Sequence, residues 1–312
     1  MIITASRRTD IPAFFSDWFF NRLQEGYVLA PYLRIQGKYR KVLLNKKVVD
    51  CFVFWTKNPA PMIDKLDLLS GYDFIFHYTV TPYEKDIEAH LHNVERRIEL
   101  FKQLSEKIGK ERLIWRYDPI FVSERYSIPF HIETFERMAA LFSNHTNLCM
   151  ISFIDDYNHI KKILAYHGIV TMKNEQIHFL AAIFSKIVAK YNISLQTCAE
   201  NSDLSTHNIA RGACIDRALL ERVTGKSFLP QKDKNQRALC NCLEGMDIGA
   251  YDTCLHGCIY CYATTKFKKA LSNARLHDKT SPILFGYPKA TDEIIQAKMT
   301  SFVSSQGNLF VK

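Results

Sequence analysis

The chain has no run approaching the roughly 18 uncharged apolar residues that cross a bilayer as a helix. Its opening stretch, Met1-Ile-Ile-Thr-Ala-Ser-Arg-Arg8, has no apolar export segment. With 12 Gly and 10 Pro in 312 residues, linker-rich and collagen-like classes are excluded. Acidic excess is also missing: 41 Lys and Arg stand against 32 Asp and Glu, a formal +9. At 23% charged and 47% hydrophobic, the composition excludes an acidic disordered chain and supplies enough apolar side chain for a large core. The expected setting is the cytoplasm, with no membrane partner.

An evenly paired cysteine framework is absent as well. There are nine cysteines, an odd number, and seven of them fall between positions 198 and 261. In a reducing compartment such clustering points to metal or redox chemistry rather than disulfides. Cys51 and Cys149 sit inside apolar runs and are expected in the core.

What is present is an alternation. Continuous apolar runs at Ile2–Ala5, Cys51–Thr56, Phe74–Val80, Leu113–Arg116, Leu148–Phe153 and Ile193–Thr197 predict strands buried on both faces. Helical periodicity at about 13–25, 60–69, 84–107, 131–143 and 175–191 separates them. The order predicts an α/β fold: a parallel, partial, TIM-like β/α barrel over 1–198, with a hairpin inserted at 27–47. Residues 199–312 are expected to form a cysteine-rich iron–sulfur cap packed on that barrel as one domain. Polar residues follow several strands, among them Arg7, Arg8 and Asp10, Thr56-Lys57-Asn58, Arg116 and Glu200. In parallel α/β folds the site lies at those carboxyl ends. His77, within an apolar run, is expected to be a core residue.

The strongest signal is Tyr251-Asp-Thr-Cys254-Leu-His-Gly-Cys258-Ile-Tyr-Cys261-Tyr-Ala263. Three thiolates at C-x3-C-x2-C spacing suit three corners of a cubane and leave one iron without a protein ligand. The alternatives are zinc completed by His256, or unliganded buried cysteines. Cys198, Cys214, Cys240 and Cys242 suggest a second cluster. A four-thiolate zinc site, or Cys240 or Cys242 as fourth ligand to the first cluster, are its rivals.

This stretch resembles the cluster loop of radical S-adenosylmethionine (SAM) enzymes, in particular the spore photoproduct lyase branch. Phe54-Trp-Thr-Lys-Asn-Pro59, Tyr78-Thr-Val80, Glu95-Arg-Arg97 and Trp115-Arg-Tyr-Asp-Pro119 resemble later strand–helix units of the same branch, which implies a circular permutation. Ser6-Arg-Arg-Thr-Asp-Ile-Pro12, Cys198-Ala-Glu200, Cys214-Ile-Asp216 and Asp247-Ile-Gly249 before Tyr251 resemble a bacterial family catalogued as a domain of unknown function, number 1848. The first resemblance implies one 4Fe-4S cluster, or two, and SAM as cofactor, with a deoxyadenosyl radical made for an unidentified substrate. It implies Tyr260 beside the adenine and Thr56, Lys57, Asn58 and Arg116 around the cofactor. Gly-Gly-Glu after the second strand is missing, and Thr56-Lys57-Asn58 stands in its place.

An external electron donor is required. The substrate is a small molecule or a nucleic acid, the latter suggested by the basic, aromatic stretch Arg34–Lys47. The rival functions are an iron–sulfur electron carrier or redox sensor without SAM, and a zinc-stabilised nucleic-acid-binding module.

Overall fold

The computed structural model describes residues 1–32, 35–155 and 157–304; Arg34 of the basic stretch lies outside them. The chain is a mixed α/β structure. Its strands are β1 (Ile2–Ala5), β2 (Tyr27–Pro31), β3 (Lys38–Leu43), β4 (Cys51–Thr56), β5 (Phe74–Thr79), β6 (Leu113–Ile120), β7 (Leu148–Phe153), β8 (Ser194–Cys198), β9 (Ala210–Gly212), β10 (Met246–Asp247) and β11 (Glu293–Gln296). Eight of them form one sheet in the order β10-β1-β4-β5-β6-β7-β8-β9, with every pairing parallel. The sheet curls into a partial barrel. Between its outer strands, Leu243 N–H donates to Ile215 O at 3.0 Å.

The apolar runs become strands because both of their faces are covered. Phe52, Phe54, Phe76, Trp115 and Ile151 are fully buried, and each such side chain contributes about 1.5–3 kcal/mol by leaving water. Outside the sheet, helices Val94–Ile108, Ile128–Phe142 and Asn174–Lys190 supply Phe101, Phe135, Phe142 and Phe184. Phe135 stacks on Phe184 at 3.7 Å and on Trp115 at 5.0 Å between ring centres. Cys51 and Cys149 are fully buried in this core, as expected. His77 lies there too, with Nε2 2.7 Å from Cys214 O, and burial lowers it to about 4.

Several elements differ from the periodicity; the helix expected over 13–25 is two, Ile11–Phe14 and Ser16–Glu25. The helix expected from 84 starts only at Val94, capped by the Asn93 side chain, because residues 87–90 pair with a distant loop instead. The pattern at 60–69 splits into helix Ala60–Ile63 and a 3-10 turn at Leu66–Leu69. The hairpin β2–β3 gains a third, parallel strand, β11, from near the end of the chain. Two sheet strands, β9 and β10, come from beyond residue 198. They are too short for any periodicity to mark them. No helix among the described residues is long and apolar enough to cross a membrane.

Candidate metal and cofactor site

The carboxyl ends of the strands surround a cavity of about 650 Å³. Its wall includes all seven clustered cysteines, Cys198, Cys214, Cys240, Cys242, Cys254, Cys258 and Cys261, together with Thr56, Lys57, Arg116 and Tyr260. Asn58 is not on that wall. Its side-chain oxygen Oδ1 accepts from Ala60 N–H at 3.3 Å, beside the start of the following helix.

The loop carrying Cys254, Cys258 and Cys261 leaves β10 at the edge of the sheet. Asp252 ties its base: Oδ1 accepts from Thr265 N–H and Oγ1 at 2.6 and 2.8 Å, and Oδ2 from Lys269 Nζ at 2.7 Å. The far side is held by main chain. His90 N–H donates to His256 O, Ile259 N–H donates to Ile87 O, and Glu88 bridges Cys258. Gly257 turns the loop at φ +68°, where a side chain would also meet His90 at 2.9 Å. Gly249 lies so close to the Ser6 side chain that a Cβ there would clash.

His256, the fourth ligand of the zinc alternative, is engaged by a carboxylate through one ring nitrogen, and its Nδ1 is buried without a hydrogen-bond partner. It is buried with Nε2 2.7 Å from Asp10 Oδ2, and Phe14 packs 4.6 Å away. Asp10 also accepts from Lys57 N–H at 2.7 Å and from Ala13 N–H at 3.0 Å, so one carboxylate joins β1, β4 and the loop. Burial raises the thiols of Cys254 and Cys258.

Behind the loop lies a fully buried carboxylate that sequence reasoning missed. Glu88 accepts from Lys57 Nζ at 2.8 Å, Arg97 Nη1 at 2.6 Å, Thr81 Oγ1 at 2.9 Å and the Tyr260 hydroxyl. Burial by itself raises a carboxyl pKa, but Lys57 and Arg97 outweigh it and bring Glu88 to about 2. Glu88 thereby places both Lys57 and Tyr260 on the cavity wall. No motif marks it; its role appears only once its neighbours are assembled.

On the other side, Cys198 ends β8, Cys214 follows β9, and Cys240 and Cys242 come from the loop before β10. Cys198 Sγ and Cys214 Sγ are 3.1 Å apart, and Cys242 hydrogen-bonds both Cys214 and Cys240. Cys240 and Cys242 thus belong to this group. Hydrogen bonds from Cys198 and Cys242 lower the Cys214 thiol. Arg116 Nη1 lies 3.1 Å from Cys214 Sγ, while its Nε and Nη2 hold Asp118 Oδ2 at 2.9 and 2.5 Å. Ala199, between Cys198 and Glu200, is held at φ +54°, a strained setting for a residue with a side chain. Glu200 accepts from Phe153 N–H at 2.8 Å, and burial raises it to about 7.

Arg7 packs over Trp55 and faces Asp233 at 3.7 Å; Arg8 faces Asp247 at 3.9 Å. Of the basic hairpin, Arg40 reaches the cavity, between the Tyr32 ring and Met246. Lys41 lies over Tyr27. Among the described residues, no three His, Cys, Asp or Glu side chains are set round a point fitting one metal ion. A cubane makes a different demand, four sulfurs at its corners roughly 6–7 Å apart.

No curated protein matches the chain. Among solved structures, a putative alpha-L-fucosidase from Bacteroides thetaiotaomicron VPI-5482 is similar over 58% of this chain and 73% of that one, at 12% identity and a TM-score of 0.25, and so distant a likeness carries no argument. The profile of the family described as "Domain of unknown function (DUF1848)" matches residues 2–263, and the chain belongs to that family.

Proposed function

We propose that the protein is an iron–sulfur enzyme of the radical SAM type, with the cysteine loop that follows β10 as its cluster-binding part. One observation carries this: the loop of Cys254, Cys258 and Cys261 leaves an edge strand of the parallel sheet and opens onto the cavity beside Thr56, Lys57, Arg116 and Tyr260. The donor set fits the group. Three thiols face one cavity, and the nearby imidazole is engaged by Asp10. A three-thiolate cluster supplies, when bound, an open iron and one electron for cleaving SAM to a deoxyadenosyl radical.

The chain's own residues do the rest. Glu88 anchors the polar ends of Tyr260 and Lys57 and so fixes both side chains on the cavity wall, and Asp10 with His256 fixes the loop against β1 and β4. The order β10, cluster loop, then β1 alongside supports the permuted arrangement that the resemblance implies.

The test is anaerobic reconstitution of the wild type and of the C254A/C258A/C261A variant. The wild type is expected to bind iron and to form 5′-deoxyadenosine from SAM under a strong reductant, and the variant to lose iron and that activity. Iron without SAM cleavage in the wild type would favour the electron carrier. Equal iron in both proteins would remove the loop as a ligand set.

A further inference from the structure

We infer that Cys198 and Cys214 form a peroxide-reactive dithiol on the cavity wall, in which Cys214 attacks the oxidant and Cys198 closes the disulfide. The inference does not rest on the proposed function, and its test is run without iron.

Cys198 ends β8 and Cys214 follows β9, and their sulfurs stand 3.1 Å apart. Two thiolates on one tetrahedral metal ion lie roughly 3.8 Å apart, and the corners of a cubane roughly 6–7 Å. The second cluster expected at Cys198, Cys214, Cys240 and Cys242, and its zinc rival, therefore do not fit this pair. A disulfide bond is about 2 Å long, so a shift of about one ångström joins the two sulfurs. Core packing accounts for single buried cysteines such as Cys51 and Cys149. It does not account for two sulfurs in contact beside a buried cation.

That cation is Arg116. It is 6% exposed, its Nη1 lies 3.1 Å from Cys214 Sγ, and Asp118 holds its other edge. A neutral thiol is a weak acceptor for a buried guanidinium, whereas a thiolate is a strong one. Hydrogen bonds from Cys198 and Cys242, with the charge of Arg116, hold the Cys214 thiol well below its ordinary value despite burial. The bond to Cys214 and burial push Cys198 up. One sulfur is thus set to attack while the other keeps its proton, the arrangement of a reactive cysteine with a resolving partner.

Access selects the oxidant. Cys214 is buried and reaches the cavity wall, so hydrogen peroxide fits where a protein disulfide does not. The Cys214 thiolate attacks one peroxide oxygen: an S–O bond forms, the O–O bond breaks and hydroxide leaves. The Cys198 sulfur then attacks the Cys214 sulfur. The S–S bond forms, the S–O bond breaks, and the departing hydroxide takes the Cys198 proton as water. Two electrons pass from the sulfurs to the peroxide. The product has no negative sulfur facing Arg116 and ties the end of β8 to the turn after β9; reduction by a thiol restores the first state.

The experiment treats the iron-free full chain with hydrogen peroxide, counts thiols and maps the disulfide by mass spectrometry. C254A/C258A/C261A keeps six of the nine cysteines and none of the proposed cluster ligands, so the outcome is separate from SAM chemistry. Two of its six thiols are expected to disappear, with tryptic peptides 191–211 and 212–217 joined, and dithiothreitol should restore both. The same map on the wild-type chain before reconstitution does not depend on any variant folding. Adding C198S/C242S removes both thiols that hydrogen-bond Cys214, and a sulfenic acid trapped by dimedone is then expected on Cys214. R116Q should slow thiol loss about fivefold at neutral pH, because a raised thiol pKa lowers the thiolate fraction more than it raises nucleophilicity. No thiol loss, or a disulfide that spares Cys198 and Cys214, overturns the inference. No dimedone adduct on Cys214 overturns its role as the attacking sulfur, and an unchanged rate in R116Q overturns the part given to Arg116.

Discussion

The sheet between β4 and β8 and the stretch from 226 to 304 are built on different principles. In the first, neighbouring strands pair along their length and aromatic side chains fill both faces. In the second, regular structure is sparse: β10, helix Phe267–Arg275 and β11. Single carboxylates organise the rest. Asp252 ties the cluster loop, Asp278 gathers Thr280 and Tyr287, and Asp50 accepts from Ser301 Oγ and Phe302 N–H. Apolar area spreads its stabilisation over many contacts, whereas a buried carboxylate concentrates it in a few charge-assisted bonds. The first region therefore tolerates small losses, while the second depends on particular residues.

Glu88 lies where the two regimes meet, so Glu88→Gln is expected to have the largest effect. It leaves Lys57 and Arg97 without their carboxylate and costs about 5 kcal/mol in denaturant unfolding. Amide exchange at 256–259 should rise with it. A cost under about 1 kcal/mol would show that the loop is held without this network.

Phe54→Ala tests the sheet by itself. Phe54 stacks on Phe76 at 4.6 Å and is fully buried, so about 3–5 kcal/mol is expected. Exchange at 256–259 should stay near wild type at low denaturant. If it rises as much as in Glu88→Gln, the two regions unfold as one and the contrast between them fails.

The pH dependence should come from the barrel side. His131 is buried between the Tyr117 hydroxyl, 2.7 Å from Nδ1, and Phe121 O, 2.8 Å from Nε2, and burial lowers it from 6.5 to about 4. Between those values the unfolded imidazole binds a proton and the folded one does not. The His131 contribution is thus full above pH 6.5 and falls as the pH drops, by roughly 3 kcal/mol at pH 4, beside a like one from His77. His131→Gln should flatten that slope by the same amount. Thermal unfolding from pH 7 to 4 measures it, and equal slopes in the two proteins would exclude His131.

Asp252→Asn should have the smallest global effect, about 1–2 kcal/mol, because Lys269 is well exposed and the hydrogen bonds weaken without vanishing. Its signature is local: protease cleavage near 264–269 ahead of any cut in the sheet. Cleavage unchanged from wild type would mean that the loop base is held by main chain.

Strands β1, β4, β5, β7 and β8 were legible as apolar runs, and β6 in its first half. The cysteine loop was legible from spacing. Glu88, Arg97 and Asp252 were not, because a lone polar residue in a sequence looks the same whether solvated or buried. The helix expected from 84 failed because that segment's backbone pairs with residues about 170 positions away, an order of separation invisible to a local window.

By itself, the sequence determined which segments must be buried and which residue types carry metal chemistry, since periodicity and spacing are local properties. Tertiary structure decided that β10 lies beside β1, that Cys198 and Cys214 meet Cys240 and Cys242, and that Glu88 becomes a buried anchor. Those outcomes depend on closing long loops and on pairing charges removed from water, and both are settled only when the whole core assembles.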